Sequence, residues 1–167
     1  MILATDTYYH PDGTAKAVGV LFRHWTDTEP ARVVEVNIPA VEDYEPGAFY
    51  KRELPCIMAV LAACELVELD LIVIDGYVIL NDSGKPGLGV YLYEALQGQI
   101  PVVGVAKTSF FENTVHVAEV LRGDSAKPLF VTSIGVDLNE AARAVQSMHG
   151  EFRMPYLLKL LDGVTRS

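Results

Sequence analysis

Leu69-Asp-Leu-Ile-Val-Ile-Asp75 is the stretch that decides the fold, a short and almost wholly apolar run that ends in a carboxylate and is followed by Gly76. Such a run is typical of a strand that is buried on both faces of a parallel sheet. A polar, glycine-rich loop and a predicted helix over 90–97 come next, and Ile100-Pro-Val-Val-Gly-Val-Ala106 repeats the buried-strand pattern. Strand, loop, helix and strand in this order predict a parallel βαβ unit with a right-handed crossover.

The rest of the chain predicts a mixed sheet that is flanked by helices. Residues 1–9 and 15–23 are joined by the turn sequence His10-Pro-Asp-Gly13, which predicts an antiparallel hairpin. Further strands are predicted over 32–38 and 128–134, and helices from Ala48 onward, over 138–148 with Asp137 or Asn139 as the cap, and over the amphipathic segment 156–164. We therefore expect one α/β domain over 1–167, with antiparallel first strands and parallel strands after them.

The composition and the net charge of the chain exclude several classes of protein. Half of the 167 residues are hydrophobic, which excludes intrinsic disorder, and the net charge of −9 opposes unaided attraction to a polyanion. The negative excess is confined to residues 1–75, which hold 13 acidic and 5 basic residues. That excess is either a solubility feature or a set of carboxylates for divalent cations. The sequence has neither a membrane-spanning apolar run nor a signal peptide, and its two cysteines lie in an apolar helical stretch, so we expect a cytoplasmic protein.

Four charged residues lie near the ends of predicted strands or near the start of the first long helix, and they are candidate functional residues. Asp6 lies near the end of the first strand, Glu53 early in the helix, and Asp75 and Lys107 at the ends of the two buried strands. Because the carboxyl ends of parallel strands face one crevice, Asp75 and Lys107 are expected to share a site. Carboxylates gathered there repel one another unless a hard cation such as Mg²⁺ or Mn²⁺ binds them, so the pattern predicts metal-assisted phosphoryl transfer. The familiar nucleotide-hydrolase and serine-esterase motifs are absent.

Seven short motifs, in order, give the chain a resemblance to the endonuclease V family. They are Thr5-Asp-Thr-Tyr8, Tyr44-Glu-Pro-Gly47 with Arg52-Glu-Leu-Pro55, Val73-Ile-Asp-Gly76, Leu88-Gly-Val90, Pro101-Val-Val-Gly-Val-Ala-Lys107, Pro128-Leu-Phe-Val-Thr-Ser133 and Phe152-Arg-Met-Pro155. The resemblance implies an RNase H-like fold and a nuclease, a hydrolase that cuts DNA or RNA near inosine with Mg²⁺ or Mn²⁺ and acts in DNA repair. The implied chemistry is in-line attack by a metal-bound water, which leaves a 5′-phosphate and a 3′-hydroxyl.

The resemblance also implies a role for each matching residue. Asp6, Glu53, Asp75 and Asp162 would bind the metal, and Lys107 would steady the phosphate. Tyr44 and Pro46 would wedge into the strand where the base leaves the stack, and the backbone at Gly47, Gly76 and Gly89 would line the base pocket.

Departures from the family pattern leave alternatives open. The segment after Asp75-Gly76 is about three residues longer than in the family and lacks its usual His-Pro-Arg, and Asp137 competes with Asp162 as the last ligand. The stretch 108–127 is shorter than in the family, which together with the acidic balance predicts weak or altered nucleic-acid binding. A non-catalytic or retargeted nucleic-acid-binding relative is therefore the alternative function, and a small-molecule α/β enzyme is a third. The oligomeric state and the choice between DNA and RNA are left open.

Overall fold

The computed structural model describes residues 1–65, 68–110 and 112–167. The elements in chain order are β1 (Ile2–Tyr9), β2 (Ala15–Phe22), β3 (Arg32–Ile38), α1 (Tyr50–Cys64), β4 (Leu71–Asp75), α2 (Leu88–Ala95), β5 (Val102–Ala106), β6 (Ala118–Val120), β7 (Leu129–Ile134), α3 (Leu138–Ser147) and α4 (Tyr156–Thr165). The sequence therefore predicted each of these elements within a few residues, except β6. β6 has only three residues, too few to show an alternating pattern. No helix in the described ranges is long and apolar enough to cross a membrane.

The strands form one mixed sheet in the order β3-β2-β1-β4-β5-β7-β6. β1, β2 and β3 pair antiparallel, and β4 lies parallel to both β1 and β5, as expected for an RNase H-like sheet. β7 departs from the expectation of parallel later strands, because it runs antiparallel to β5 and pairs with β6 in the same sense. The described part of the connection from β5 to β7 contains no helix, so the chain returns without the crossover that a parallel pair needs.

Helices cover both faces of the sheet, and strand alternation assigns each core residue to one face. On β4, Leu71 and Val73 pack with the residues of α3 and α4, whereas Ile72 and Ile74 pack on the opposite face with residues of α1 and α2. β1 follows the same rule, since Leu3 belongs to the core on the α1 side. The protein is thus a three-layer α/β structure, and the two helical layers determine what lies beside the carboxyl ends of β1, β4 and β5.

Candidate functional site

Three charged side chains leave one face of the sheet at its carboxyl edge. Ala4 lies opposite Val73 in the parallel pair of β1 and β4. Asp6 and Asp75 follow these residues by two positions, so their side chains leave the same face, side by side. Lys107 takes the corresponding place directly after β5. Strand register alone therefore brings these three residues together, on the face that α4 covers.

Two adjoining clefts meet at this edge, one beneath each helical layer. The α4 cleft is lined by Asp6, Asp75, Lys107 and Asp162, above an apolar floor. The α1 cleft, of about 240 Å³, is lined by Asp6, Asp75 and Glu53. Asp6 and Asp75 are thus common to both clefts, and each helix contributes one further carboxylate from its own side.

Hydrogen bonds hold two of these carboxylates in place. Asp6 accepts from the Thr7 backbone N–H at 2.9 Å and from the Thr165 hydroxyl on α4 at 3.3 Å. Glu53 Oε1 accepts from the Tyr9 hydroxyl at 2.6 Å, and the Arg52 guanidinium lies 3.5 Å from the centre of the Tyr9 ring. These contacts tie β1 to α4 and α1, so each carboxylate is oriented by an element other than its own.

Burial and mutual repulsion make the carboxylates costly to ionise. Burial, reinforced by the neighbouring Asp75 charge, raises the pKa of Asp6 to about 6. Burial raises the pKa of Glu53 to about 7, although the hydrogen bond from Tyr9 opposes this. Burial also raises the pKa of Asp75, which the Lys107 ammonium partly offsets. The site therefore has a deficit of positive charge near neutral pH.

The chemistry of these side chains suits a hard divalent cation, because every candidate ligand is a carboxylate oxygen. The described residues do not, however, contain three His, Cys, Asp or Glu side chains already gathered around one point. Instead, the four carboxylates are distributed over the α1 and α4 clefts, with Asp6 and Asp75 in between. The side chains fit a metal in ligand type, and binding would require them to draw together.

Asp137 and Asp162, the two candidates for the last ligand, occupy different places. Asp137 is the N-cap of α3, where its carboxylate accepts from the Glu140 backbone N–H at 3.0 Å. Asp162 lines the α4 cleft and forms a 3.0 Å ion pair with Arg166. The geometry therefore favours Asp162 over Asp137 as the candidate for the last ligand, and Asp137 has a structural role as a helix cap.

A third cleft, here called the aromatic cleft, lies beside the α1 cleft. It measures about 360 Å³, and its lining includes Gly47, Gly76, Tyr50 and Tyr77. Gly76, with a φ of 126°, adopts a conformation that favours glycine directly after Asp75. The wedge candidates precede α1 on an exposed segment, in which the Tyr44 side chain is 58% exposed.

Gly89, which the family resemblance places in the base pocket, lies outside the lining of the aromatic cleft. Gly89 is buried in the first turn of α2, and a Cβ there would come within 2.8 Å of three atoms of Val78. It is not one of the residues that line the aromatic cleft, whereas its neighbours Gly87 and Leu88 are. The missing side chain at Gly89 thus allows α2 to pack closely on the chain after β4.

Several supporting residues escaped the sequence analysis because their roles depend on long-range contacts. The Thr132 hydroxyl on β7 accepts from the Val78 backbone N–H at 2.8 Å. The buried Arg122 donates to four backbone carbonyls between α3 and α4. Arg153 donates to the carbonyls of Lys107 and Pro128. Two of these residues lie in family motifs of the sequence, Thr132 in Pro128-Leu-Phe-Val-Thr-Ser133 and Arg153 in Phe152-Arg-Met-Pro155, whereas Arg122 lies in none.

Comparison with known sequences decides the family. The sequence model of the family described as Endonuclease V matches residues 1–162. The chain belongs to the endonuclease V family. It is accordingly assigned to a family of nucleases, and the resemblance inferred from its motifs is confirmed. No curated protein sequence matches the chain.

Solved structures confirm the RNase H-like fold. An endonuclease V from Ciona intestinalis, in complex with a 24mer DNA containing an inosine followed by a ribo-adenosine, has a TM-score of 0.82 and 17% identity, over 99% of this chain and 83% of that one. Human ENDOV has a TM-score of 0.75 and 19% identity, over 99% and 82%. The Bacillus subtilis endonuclease V has a TM-score of 0.73 and 19% identity, over 99% and 78%.

Proposed function

We propose that this protein is a divalent-metal-dependent endonuclease, which hydrolyses a phosphodiester bond near inosine in DNA or RNA and leaves a 5′-phosphate and a 3′-hydroxyl. The observation that carries the proposal is the convergence of four carboxylates and Lys107 at one edge of the sheet in an endonuclease V family member. The solved Ciona complex with inosine-containing DNA supports the choice of substrate.

Asp6 and Asp75 would hold Mg²⁺ or Mn²⁺, with Glu53 joining from the α1 cleft and Asp162 from the α4 cleft. The raised pKa values of Asp6, Glu53 and Asp75 support this assignment, because a bound cation offsets the desolvation and repulsion that oppose ionisation. When bound, the cation supplies Lewis-acid activation of water and of the phosphate. Tyr9 and Thr165 are positioning residues, because they hold Glu53 and Asp6 by hydrogen bonds.

The remaining roles concern the substrate. Lys107 would bind the scissile phosphate, since its ammonium group lines the same cleft as the carboxylates. Tyr44 and Pro46 are exposed and would wedge into the strand when the base leaves the stack. The displaced base would enter the aromatic cleft, where the backbone at Gly47 and Gly76 allows close approach.

The biological role we propose is DNA repair at deaminated adenine, in the cytoplasm. Cys56 and Cys64 are free and buried, which is compatible with a reducing compartment.

A nucleic-acid-binding relative that does not cleave is the second candidate function. The observation in its favour is that the carboxylates of the described residues are not gathered around one point. Binding of an inosine-containing strand without metal-dependent cleavage would support this candidate.

The deciding experiment incubates the protein with end-labelled single-stranded DNA and RNA, each with and without one inosine, in Mg²⁺, Mn²⁺ or EDTA. We expect cleavage near inosine only when metal is present. Asp75→Asn, which keeps the size of the side chain, should lose about 100-fold or more of the rate, because even outer-shell changes at metal sites cost about 10–100-fold.

Asp124→Asn is the matched control, because Asp124 is exposed and lines none of the clefts described above. It should cleave like the wild type. Cleavage that is undiminished in Asp75→Asn, or that ignores inosine, would contradict the proposed site or the proposed specificity, respectively.

A further inference from the structure

A concave basic surface, here called the basic cleft, adjoins the α4 cleft on the side of β5 and β7. Its lining includes Lys107, Thr108, Ser109, Lys127 and Arg153, and its volume is about 430 Å³. None of the described residues that line it is acidic, although acidic residues outnumber basic ones by nine in the whole chain. The basic cleft is thus a local reversal of the net charge of the molecule.

Among the described residues, the positive charges of the basic cleft have no direct ion-pair partner, although the Lys107 charge also acts on the Asp75 carboxylate. None of Lys107, Lys127 and Arg153 takes part in an ion pair among residues 1–65, 68–110 and 112–167. Lys107 and Lys127 are both exposed, and both line the cleft. Uncompensated ammonium groups beside hydroxyl groups are suited to phosphate, which accepts hydrogen bonds from both.

Arg153 gives the basic cleft a fixed floor. Its guanidinium donates to the carbonyls of Lys107 and Pro128, which are the exit of β5 and the entry to β7. The Arg153 Nε is buried and has no hydrogen-bond partner among the described residues. Arg153 therefore links the two sides of the cleft and adds a positive charge that has no ion-pair partner in the described part of the chain.

Lys107 connects the basic cleft to the carboxylate site, because its side chain lines both the α4 cleft and the basic cleft. A nucleic-acid strand whose reacting phosphate lies at Asp75 would therefore pass directly from Lys107 to Lys127. Because the chain as a whole has a net charge of −9, this locally basic path is electrostatically favourable for a phosphodiester backbone.

We propose that the basic cleft binds the phosphodiester backbone of the substrate strand next to the reacting phosphate, and that Lys127 is a phosphate-binding residue. The identity of the strand as substrate rests on the proposed function, whereas phosphate binding by the cleft does not. The recognised group is the backbone phosphate, which DNA and RNA share, so the cleft contributes affinity and strand register but no base specificity.

The test measures binding without cleavage. Fluorescein-labelled oligo-dT and oligo-U of about 20 nucleotides, free of inosine, are titrated with the protein in EDTA over a series of NaCl concentrations. We expect Lys127→Ala to weaken binding of both strands at low salt by about 3- to 10-fold, and to reduce the slope of log K against log[NaCl] by about 0.7, as for one lost phosphate contact on a single strand. Lys127→Arg should restore the binding.

Lys159→Ala is the matched control, since Lys159 is an exposed lysine on α4 that lines none of the clefts described above. It changes the net charge equally and should bind within about twofold of the wild type. An unchanged slope in Lys127→Ala, an equal loss in Lys159→Ala, a loss confined to one of the two strands, or no binding by the wild type would each overturn the proposal. Failure of the inosine-directed nuclease would appear separately, as absent cleavage with metal, because the binding test uses neither inosine nor metal.

Discussion

At the scale of the residue, Glu53 is a proposed metal ligand whose ionisation lowers the stability of the metal-free protein. It is held by a 2.6 Å hydrogen bond from Tyr9, yet burial raises its pKa to about 7. Because this value exceeds the 4.5 of an unperturbed Glu, the folded chain retains a proton that the unfolded chain releases. The free energy of unfolding of the metal-free protein therefore falls as the pH rises from about 4.5 to about 7, and this contribution is constant above that range.

Glu53→Gln should remove this penalty, because the amide carbonyl can still accept from Tyr9 without carrying a charge. We expect the variant to exceed the wild type in free energy of unfolding by roughly 1–3 kcal/mol at about pH 8, and to match it near pH 4.5. Urea unfolding in EDTA at both pH values measures the difference. A variant that is less stable than the wild type at the higher pH would contradict the argument.

Substitution of Asp137 should affect mainly stability, and substitution of Asp162 should affect mainly activity. Asp137→Ala removes the cap of α3 and should cost about 1 kcal/mol of stability with little change in cleavage, whereas Asp137→Ser should retain most of that stability. Asp162→Asn should do the opposite, because its ion pair with Arg166 is partly exposed and contributes little to folding. Thermal melting and cleavage rates of both variants decide between the two roles, and the reverse pattern would make Asp137 the ligand.

At the scale of elements, the turn after β4 is held by β7, which is separated from β4 by β5. Asp75 is followed by a turn whose Val78 N–H donates to the Thr132 hydroxyl on β7. This hydrogen bond is buried, and it crosses from the antiparallel edge of the sheet to the turn that leads out of the site. β7, whose direction was not predicted, thus supplies the hydroxyl acceptor that holds the turn after Asp75.

Thr132→Val keeps the shape of this side chain but leaves the buried Val78 N–H without an acceptor. We expect it to cost about 1–3 kcal/mol of stability and to speed amide exchange in the turn after β4. Thr132→Ser, which retains the hydroxyl, is the control and should stay nearer to the wild type. Equal losses in the two variants would assign the effect to packing instead of to the hydrogen bond.

Over the whole molecule, the charges that sum to −9 are unevenly distributed. Carboxylates gather where α1, α4 and the sheet meet, and the basic cleft lies on the other side of Lys107. The surface charge therefore changes sign across this edge of the sheet. A divalent cation and a phosphate backbone would bind on adjacent sides of it. This arrangement also means that a bound cation should stabilise the native state, because the unfolded chain does not assemble the carboxylates.

We therefore expect Mg²⁺ at about 5 mM to raise the melting temperature by a few degrees over NaCl of equal ionic strength, the control for charge screening. Asp75→Asn should show a smaller rise, because it lacks one of the two carboxylates that both clefts share. Equal melting temperatures in the two salts for the wild type would argue against cation binding at this edge.

Much of the fold was predictable because local patterns encode it. The apolar runs ending at Asp75 and Ala106 specify buried strands, and the His10–Gly13 turn specifies the first hairpin. The nearness of Asp75 and Lys107 followed from the rule that parallel strands present their carboxyl ends at one edge. Glu53 was singled out by its position early in the first long helix and then by the family resemblance, but helix periodicity does not tell how far along the sheet α1 packs.

The sequence by itself determined the order of the elements, the strand ends that carry the charged residues and the family to which the chain belongs, since these depend on residue type and short-range spacing. Only the tertiary structure decided that Gly89 packs against Val78 and that β7 runs antiparallel and supports the turn after β4. It alone placed Lys127 and Arg153 beside Lys107. The physical reason is that these relations join residues distant in the chain, and their geometry follows from packing and register, which no local pattern specifies.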